Sequence, residues 1–81
     1  MDQIYAGNIG KQPTFEYHEQ TGRPRLQFSL AINKRYQDRS GEWRDGKPLW
    51  LNVVAFGRVA ENASNLNSGD PVIVIGELGD N

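Results

Sequence analysis

The sequence contains no cysteine and a single histidine, His18, and these shortages exclude several kinds of site. Without cysteine there is no disulfide, no thiolate nucleophile and no zinc–sulfur centre. His18 alone supplies neither a histidine-rich metal site nor the Ser–His–acid set of a hydrolase. No Gly-rich phosphate loop leads into a helix. We therefore expect no enzyme, no cofactor and no metal.

Long apolar runs are also missing. No stretch approaches the roughly 20 apolar residues that span a bilayer. The N-terminal residues lack the basic and apolar regions of a signal peptide. A cytoplasmic protein without a membrane partner is expected. The 81 residues have room for one small domain, which we place over residues 1–81.

The net charge is small, but the charges are unevenly distributed. The whole chain has a formal charge of -1 at pH 7. From Arg23 to Arg58 there are eight basic and three acidic residues, a balance of +5, whereas the remainder carries −6. This asymmetry indicates one positive surface of the kind that attracts polyanions. Scattered, solvated charge is the alternative interpretation.

Short runs of strand-forming residues alternate with turn signals, which predicts an all-β sandwich or barrel. The clearest strand has period-two apolar positions at Leu26, Phe28, Leu30 and Ile32. Residues 4–9 and 15–17 indicate an earlier strand, interrupted at Gly10 and Pro13. The continuous apolar run of residues 72–75 is typical of a strand buried on both faces.

Residues 58–66 break the all-β pattern. Their apolar positions fit one face of a short amphipathic helix, at Val59, Ala60, Ala63 and Leu66. Gly69 and Pro71 mark a stop beyond it. A mainly β chain with one short helix between its third and fourth strands is the layout of an oligonucleotide-binding barrel (OB-fold), a partly open, five-stranded Greek-key barrel.

Residues 50–56 are predicted to form the third strand of this barrel, and the two faces of that strand differ in composition. Alternation gives a small apolar face, suited to the core, at Leu51, Val53 and Ala55. The opposite face has Trp50 and Phe56 about 20 Å apart, with polar Asn52 between them. Exposed aromatic rings are platforms on which nucleobases stack. A covering loop or partner chain is the alternative for these rings.

Basic and aromatic residues are interleaved between the second and third strands, at Lys34, Arg35, Tyr36, Arg39, Trp43, Arg44 and Lys47. Single-stranded nucleic acid needs this combination, because its bases offer unpaired ring faces and its phosphates need cations. No basic helix is present for the major groove of duplex DNA.

Three blocks of the sequence resemble those of bacterial-type single-stranded DNA-binding proteins. Residues 6–13, AGNIGKQP, resemble the opening GNLGxDP signature of the family, and residues 28–36, FSLAINKRY, resemble its second strand. Residues 50–61, WLNVVAFGRVAE, are similar to its WxxVVxFGxxAE block. The resemblance covers almost the whole chain. It implies an oligonucleotide-binding barrel that binds single-stranded DNA, without strong sequence preference, during replication, recombination and repair.

The resemblance also implies partners and site residues. It implies a cytoplasmic, nucleoid-associated homo-oligomer, a tetramer as is usual in the family or else a dimer. The family's stacking aromatics fall on Tyr36, Trp50 and Phe56. Arg58 occupies the basic position after the strand, whereas the loop cations match the family in residue type only. The residues expected to contact DNA are Tyr36, Trp50, Phe56, Lys34, Arg35, Arg39, Trp43, Arg44, Lys47, Asn52 and Arg58.

The sequence departs from the family at several points. Glu16 and Asn52 stand where basic residues are common. Residues 76–81 replace the aromatic-bearing hairpin, the closing fifth strand and the acidic tail of the family, so we expect a barrel truncated after its fourth strand. Weaker binding and an unpaired edge that invites another chain are expected. A protein-interaction module anchored by the aromatics, or an RNA-binding barrel, remain alternatives.

Overall fold

A computed structural model describes residues 2–79, in which seven strands and one short helix occur. In chain order they are β1 (Gln3–Ile9), β2 (Thr14–Tyr17), β3 (Pro24–Ile32), β4 (Arg35–Gln37), β5 (Trp43–Asp45), β6 (Leu49–Phe56), α1 (Gly57–Asn62) and β7 (Pro71–Gly76). The domain predicted for residues 1–81 also includes Met1, Asp80 and Asn81, which lie outside the described residues.

The central strand of the main sheet is β3. It pairs with β6 along one edge and with β2 and then β1 along the other, and β1 pairs on its far side with β7. Every pairing is antiparallel. In the part of the chain that the structure describes, no strand joins β6 to β7, so the barrel is open between them.

The core lies on the inner face of this sheet. Leu26, Phe28 and Leu30 of β3 are buried together with Ile9 of β1 and Ala60 of α1. The period-two prediction for β3 is confirmed, with Ile32 half-buried at the end of the strand. The interruption at residues 10–13 separates β1 from β2, and both strands then pair with β3.

Two sequence-based expectations about burial are wrong. Val72 and Val74 of β7 are half-buried, but Ile73 is 71% and Ile75 66% exposed. An apolar run reveals strand propensity but not the number of layers, and within residues 2–79 nothing covers the outer face of this edge strand. Val59, which was expected on the apolar face of the helix, is also misplaced, because it is 66% exposed.

The helix is shorter than predicted, ending at Asn62 rather than near residue 66. Ala60 is the residue that it buries against the barrel, and Ala63 and Leu66 are half-buried in the segment that follows. A helix of six residues presents less than two turns, so it contacts the core through a narrow stripe that excludes Val59.

Strands β4 and β5 pair only with each other among the described strands and form a separate arm, residues 33–48. Ile32 pairs with Leu49, whereas the Gly46 N–H donates to the Lys34 carbonyl at 2.7 Å. Between these two pairs, residue 33 lies opposite residues 47–48. This is the arrangement of a β-bulge, which bends and twists a strand pair. The radius of gyration, 15.3 Å, exceeds the about 12 Å expected of a compact chain of this length. The arm projects from the barrel.

Candidate nucleic-acid interface

The outer face of β6 carries the aromatic residues that the sequence singled out. Trp50 is 56% and Phe56 49% exposed, and Asn52 between them is also exposed. Leu51, Val53 and Ala55, on the other face, are half-buried against the core. The predicted alternation is confirmed, and neither ring is enclosed in the interior.

Trp50 lies against the backbone of Gly10, the residue that follows β1. A Cβ atom placed on Gly10 would lie 2.7 Å from Cζ3 of the indole and 2.6 Å from Oγ of Ser29. Both distances are shorter than van der Waals contact, so the ring occupies space that only glycine leaves open. Gly10 therefore helps to determine where the indole lies. This role could not be predicted from the sequence pattern.

A row of polar side chains crosses the outer face between the two aromatics. Gln27 donates from Nε2 to Oδ1 of Asn52 at 3.0 Å and accepts from Nη1 of Arg25 at 2.9 Å. Arg25 also lies 3.6 Å from a carboxylate oxygen of Glu16. These contacts orient the Asn52 amide. Arg25 and Gln27 were missed from sequence, since only the β3–β6 register places them beside Phe56 and Val54.

Phe56 ends β6 and is contacted by a residue outside the predicted set. The guanidinium carbon of Arg23 lies 5.3 Å from the centre of the phenyl ring, within cation–π range. The next residue, Gly57, has φ of +66°, a conformation that side chains disfavour. That turn starts α1 directly after the aromatic and places Arg58, which is exposed, in the first turn of the helix.

The arm carries its two aromatics on opposite faces. Residues directly opposed in an antiparallel pair share a face, so Tyr36 lies with Arg44, and Trp43 lies with Gln37. Both rings are exposed, at 51% and 61%. Arg35 contacts Asp45 at 3.6 Å, and its guanidinium lies 6.0 Å from the Trp43 ring. The two rings therefore do not form one continuous surface.

Asp38 organises the tip of the arm. Its carboxylate accepts hydrogen bonds from Arg44 Nε at 2.6 Å, from the hydroxyl of Ser40 at 2.6 Å and from the backbone N–H of Glu42 at 3.0 Å. These bonds, that of Arg44 foremost, lower the pKa of Asp38 from 3.8 to about 2. The charge of Arg44 is therefore partly balanced before any ligand arrives.

The predicted cations thus divide into two groups. Arg35 and Arg44 form ion pairs with arm carboxylates. The others are exposed and form no ion pair within residues 2–79: Lys34, Arg39, Lys47 and Arg58. Of the predicted set, the structure brings Trp50, Asn52 and Phe56 onto one face and distributes the arm residues over two.

Two further observations concern residues 2–79 as a whole. No group of three His, Asp or Glu side chains lies close enough together there to hold a metal ion. Over the same residues, no helix has the length and apolar content needed to cross a membrane.

The open sheet, the capping helix and the exposed aromatic strand define a protein with an oligonucleotide-binding barrel. The sequence profile described as "Single-strand binding protein family" matches residues 3–80. The chain belongs to this family.

Individual relatives agree with that placement. The chain is 37% identical over 76 residues to single-stranded DNA-binding protein 2 of Chlorobaculum tepidum, covering 93% of this chain and 51% of that protein. It is 36% identical over 75 residues to a single-stranded DNA-binding protein of Deinococcus radiodurans, covering 93% of this chain and 24% of the other. The chain thus spans about half, or less, of the length of these relatives.

Solved structures show the same fold. The small single-stranded DNA-binding protein of Streptomyces coelicolor superposes with a TM-score of 0.80 at 37% identity, over 94% of this chain and 68% of that one. A deletion mutant of the single-stranded DNA binding protein from Thermus aquaticus gives 0.75 at 28% identity, over 94% of this chain and 37% of that one. The fold class predicted from the sequence is confirmed.

Proposed function

We propose that this chain binds single-stranded DNA without strong sequence preference, as a binding protein rather than an enzyme. The observation that carries the proposal is the outer face of β6, where Trp50 and Phe56 are exposed with a polar row between them. Bases stack on such rings whatever their identity, because every base has a π-face. The function serves replication, recombination and repair, with residues 1–81 acting as one binding domain in the cytoplasm at the nucleoid.

Stacking alone does not account for useful affinity. The three expected stacking rings, Tyr36, Trp50 and Phe56, give about 6 kcal/mol at about 2 kcal/mol each. Micromolar binding needs about 8 kcal/mol. Counterion release on phosphate contact supplies the remainder, which makes binding salt-dependent. The unpaired cations are the main source: Lys34, Arg39, Lys47 and Arg58. Arg35 and Arg44 contribute less, since each would first have to exchange a carboxylate for a phosphate.

The aromatic residues take different roles in this proposal. Trp50 and Phe56 stack bases along β6, and Asn52, oriented by Gln27, hydrogen-bonds to a base or sugar between them. Tyr36 stacks a base on one face of the arm. Trp43 provides a further ring on the other face.

The test is titration of the purified protein with dT oligomers of increasing length, at about 50 and 300 mM salt, followed by tryptophan emission. Quenching with affinity that falls at the higher salt is expected. Trp50→Leu should weaken binding severalfold, and Tyr17→Leu is the matched control, since Tyr17 is also exposed but lies outside the proposed site. The proposal fails if oligonucleotides have no effect at low salt, which would favour a protein-interaction module. Tighter binding of matched RNA would favour an RNA-binding barrel.

We also propose that the chain associates with a second copy through the outer face of β1 and β7. Ile4 pairs with Ile75, and Ala6 with Ile73, so four apolar residues share one exposed patch. A contiguous apolar surface of this kind is typical of an interaction site. Membership of a family that usually forms tetramers supports a copy of the same chain as the occupant, a tetramer or else a dimer.

Sedimentation at micromolar concentration tests this association. The unaltered protein should sediment as an oligomer, and Ile73→Glu should shift it towards the monomer because it buries a charge in the contact. Val59→Glu is the control, since Val59 is similarly exposed but lies on α1, away from the patch. A monomeric unaltered protein would contradict the proposal.

A further inference from the structure

Arg23 is held in a defined position by the turn between β2 and β3. The His18 N–H donates to the Arg23 carbonyl at 2.9 Å, and the Gly22 N–H donates to the His18 carbonyl at 2.7 Å. The Arg23 N–H donates to Oγ1 of Thr21 at 3.2 Å. Three hydrogen bonds around one short turn fix the backbone from which the side chain extends.

From this turn, the Arg23 side chain reaches the end of β6. Its guanidinium carbon lies 5.3 Å from the centre of the Phe56 ring. A Cβ on Gly57 would lie 3.9 Å from Nε of Arg23, so the side chain passes close to the Gly57 backbone. A guanidinium stacked on a ring keeps its in-plane N–H groups available for other acceptors.

The strand register suggests Arg25 as the cation beside Phe56, but the side-chain contacts favour Arg23. Arg25 lies directly opposite Phe56 across the β3–β6 pair. It is committed elsewhere, through Glu16 at 3.6 Å and Gln27 at 2.9 Å. Arg23 forms no ion pair with any residue of the range 2–79. Its guanidinium contacts the Phe56 ring and is exposed, so it is available to an anionic ligand.

We propose that Arg23 binds a phosphate of the nucleotide whose base stacks on Phe56, so that ring and guanidinium form one nucleotide subsite. This inference rests on the proposed function. The planar guanidinium matches phosphate oxygens and can bind two of them together. Its cation–π contact with Phe56 holds it in place before DNA arrives, so less side-chain entropy is lost on binding.

A double-mutant cycle on dT-oligomer binding tests the subsite. Arg23→Gln should reduce the magnitude of the log K against log salt slope by about 0.7, the value of one phosphate contact on a single strand. Because Phe56 positions both the stacked base and the Arg23 guanidinium, Arg23→Gln should weaken binding less in a Phe56→Leu background than in the unaltered protein. Trp50→Leu is the matched control, and in that background the cost of Arg23→Gln should be undiminished. Circular dichroism checks that each variant is folded.

The outcomes are distinct. An unchanged salt slope, or equal costs in the Phe56→Leu and Trp50→Leu backgrounds, would overturn the subsite while leaving DNA binding intact. Tighter binding of Arg23→Gln would overturn it too, since Arg23 would then obstruct the ring. Arg23→Lys should preserve the salt slope but lose the coupling to Phe56, because lysine is a point charge without a planar face. If the unaltered protein ignores oligonucleotides, the proposed function fails and the subsite fails with it.

Discussion

Replacing Gly10 with alanine should displace the Trp50 ring without removing it. The added Cβ would lie 2.7 Å from Cζ3 of the indole, whereas carbon atoms pack at about 3.5–4.0 Å, so the ring must move by about 1 Å. The Ser29 hydroxyl, 2.6 Å from the same Cβ, can rotate away. Gly10 is not among the positive-φ residues of the described chain, so the indole contact is the main source of strain.

The expected effect on binding follows from that displacement. A stacked base is worth about 1–3 kcal/mol, and a tilted or shifted ring retains only part of this. Loss of about 0.7–1.4 kcal/mol would weaken binding to dT oligomers about 3- to 10-fold. The assay is fluorescence titration in a Trp43→Phe background, where Trp50 is the one remaining tryptophan of the sequence.

Two controls make the Gly10 experiment decisive. Gly76→Ala adds the same methyl group where nothing lies within 4 Å, and it should leave binding unchanged. Gly10→Ala combined with Trp50→Leu should bind no more weakly than Trp50→Leu alone, because the contact is already gone. Unaltered affinity and emission in Gly10→Ala would refute the inference that Gly10 positions the ring.

Three other predictions concern stability and the arm. Leu30→Ala should destabilise the protein by about 2–5 kcal/mol in urea unfolding, since Leu30 is fully buried in the core; a loss below about 1 kcal/mol would contradict that placement. Gly57→Ala should cost about 1–2 kcal/mol, because alanine disfavours the φ of +66°, with Gly76→Ala as the comparison. The hydrogen bonds that lower the pKa of Asp38 to about 2 stabilise the arm above pH about 4, where the carboxylate is charged. That stabilisation is lost as the pH falls towards 2, because the carboxylate becomes protonated. Trp43 emission in a Trp50→Phe background should report that transition, and Asp38→Asn should abolish it.

Patterns that depend on strand period were accessible from the sequence. Side chains alternate strictly along a strand, so the two faces of β6 and the buried positions of β3 followed from residue order alone. The helix was found but its extent was overestimated, because Ala63 and Leu66 continue the apolar spacing after the helical hydrogen bonding has ended. Propensity identifies an element more reliably than its ends.

Features that depend on neighbours distant in sequence were not accessible. The exposure of Ile73 and Ile75 reflects which layers exist around β7, and no local pattern encodes that. Arg23 reaches Phe56 from 33 positions away in the chain, and Gly10 reaches Trp50 from 40. Arg44 was also predicted from its charge to contact DNA, although it already forms an ion pair with Asp38.

The placement of Tyr36 and Trp43 on opposite sides of the two-stranded arm has a consequence for how long a polymer must be. A strand that stacks on both rings has to travel around the edge of a hairpin rather than lie flat across it. Short oligonucleotides would then occupy one ring at a time, and stacking on both Tyr36 and Trp43 would begin only above a threshold number of nucleotides. Binding to the hairpin would thereby depend on the length of the oligonucleotide.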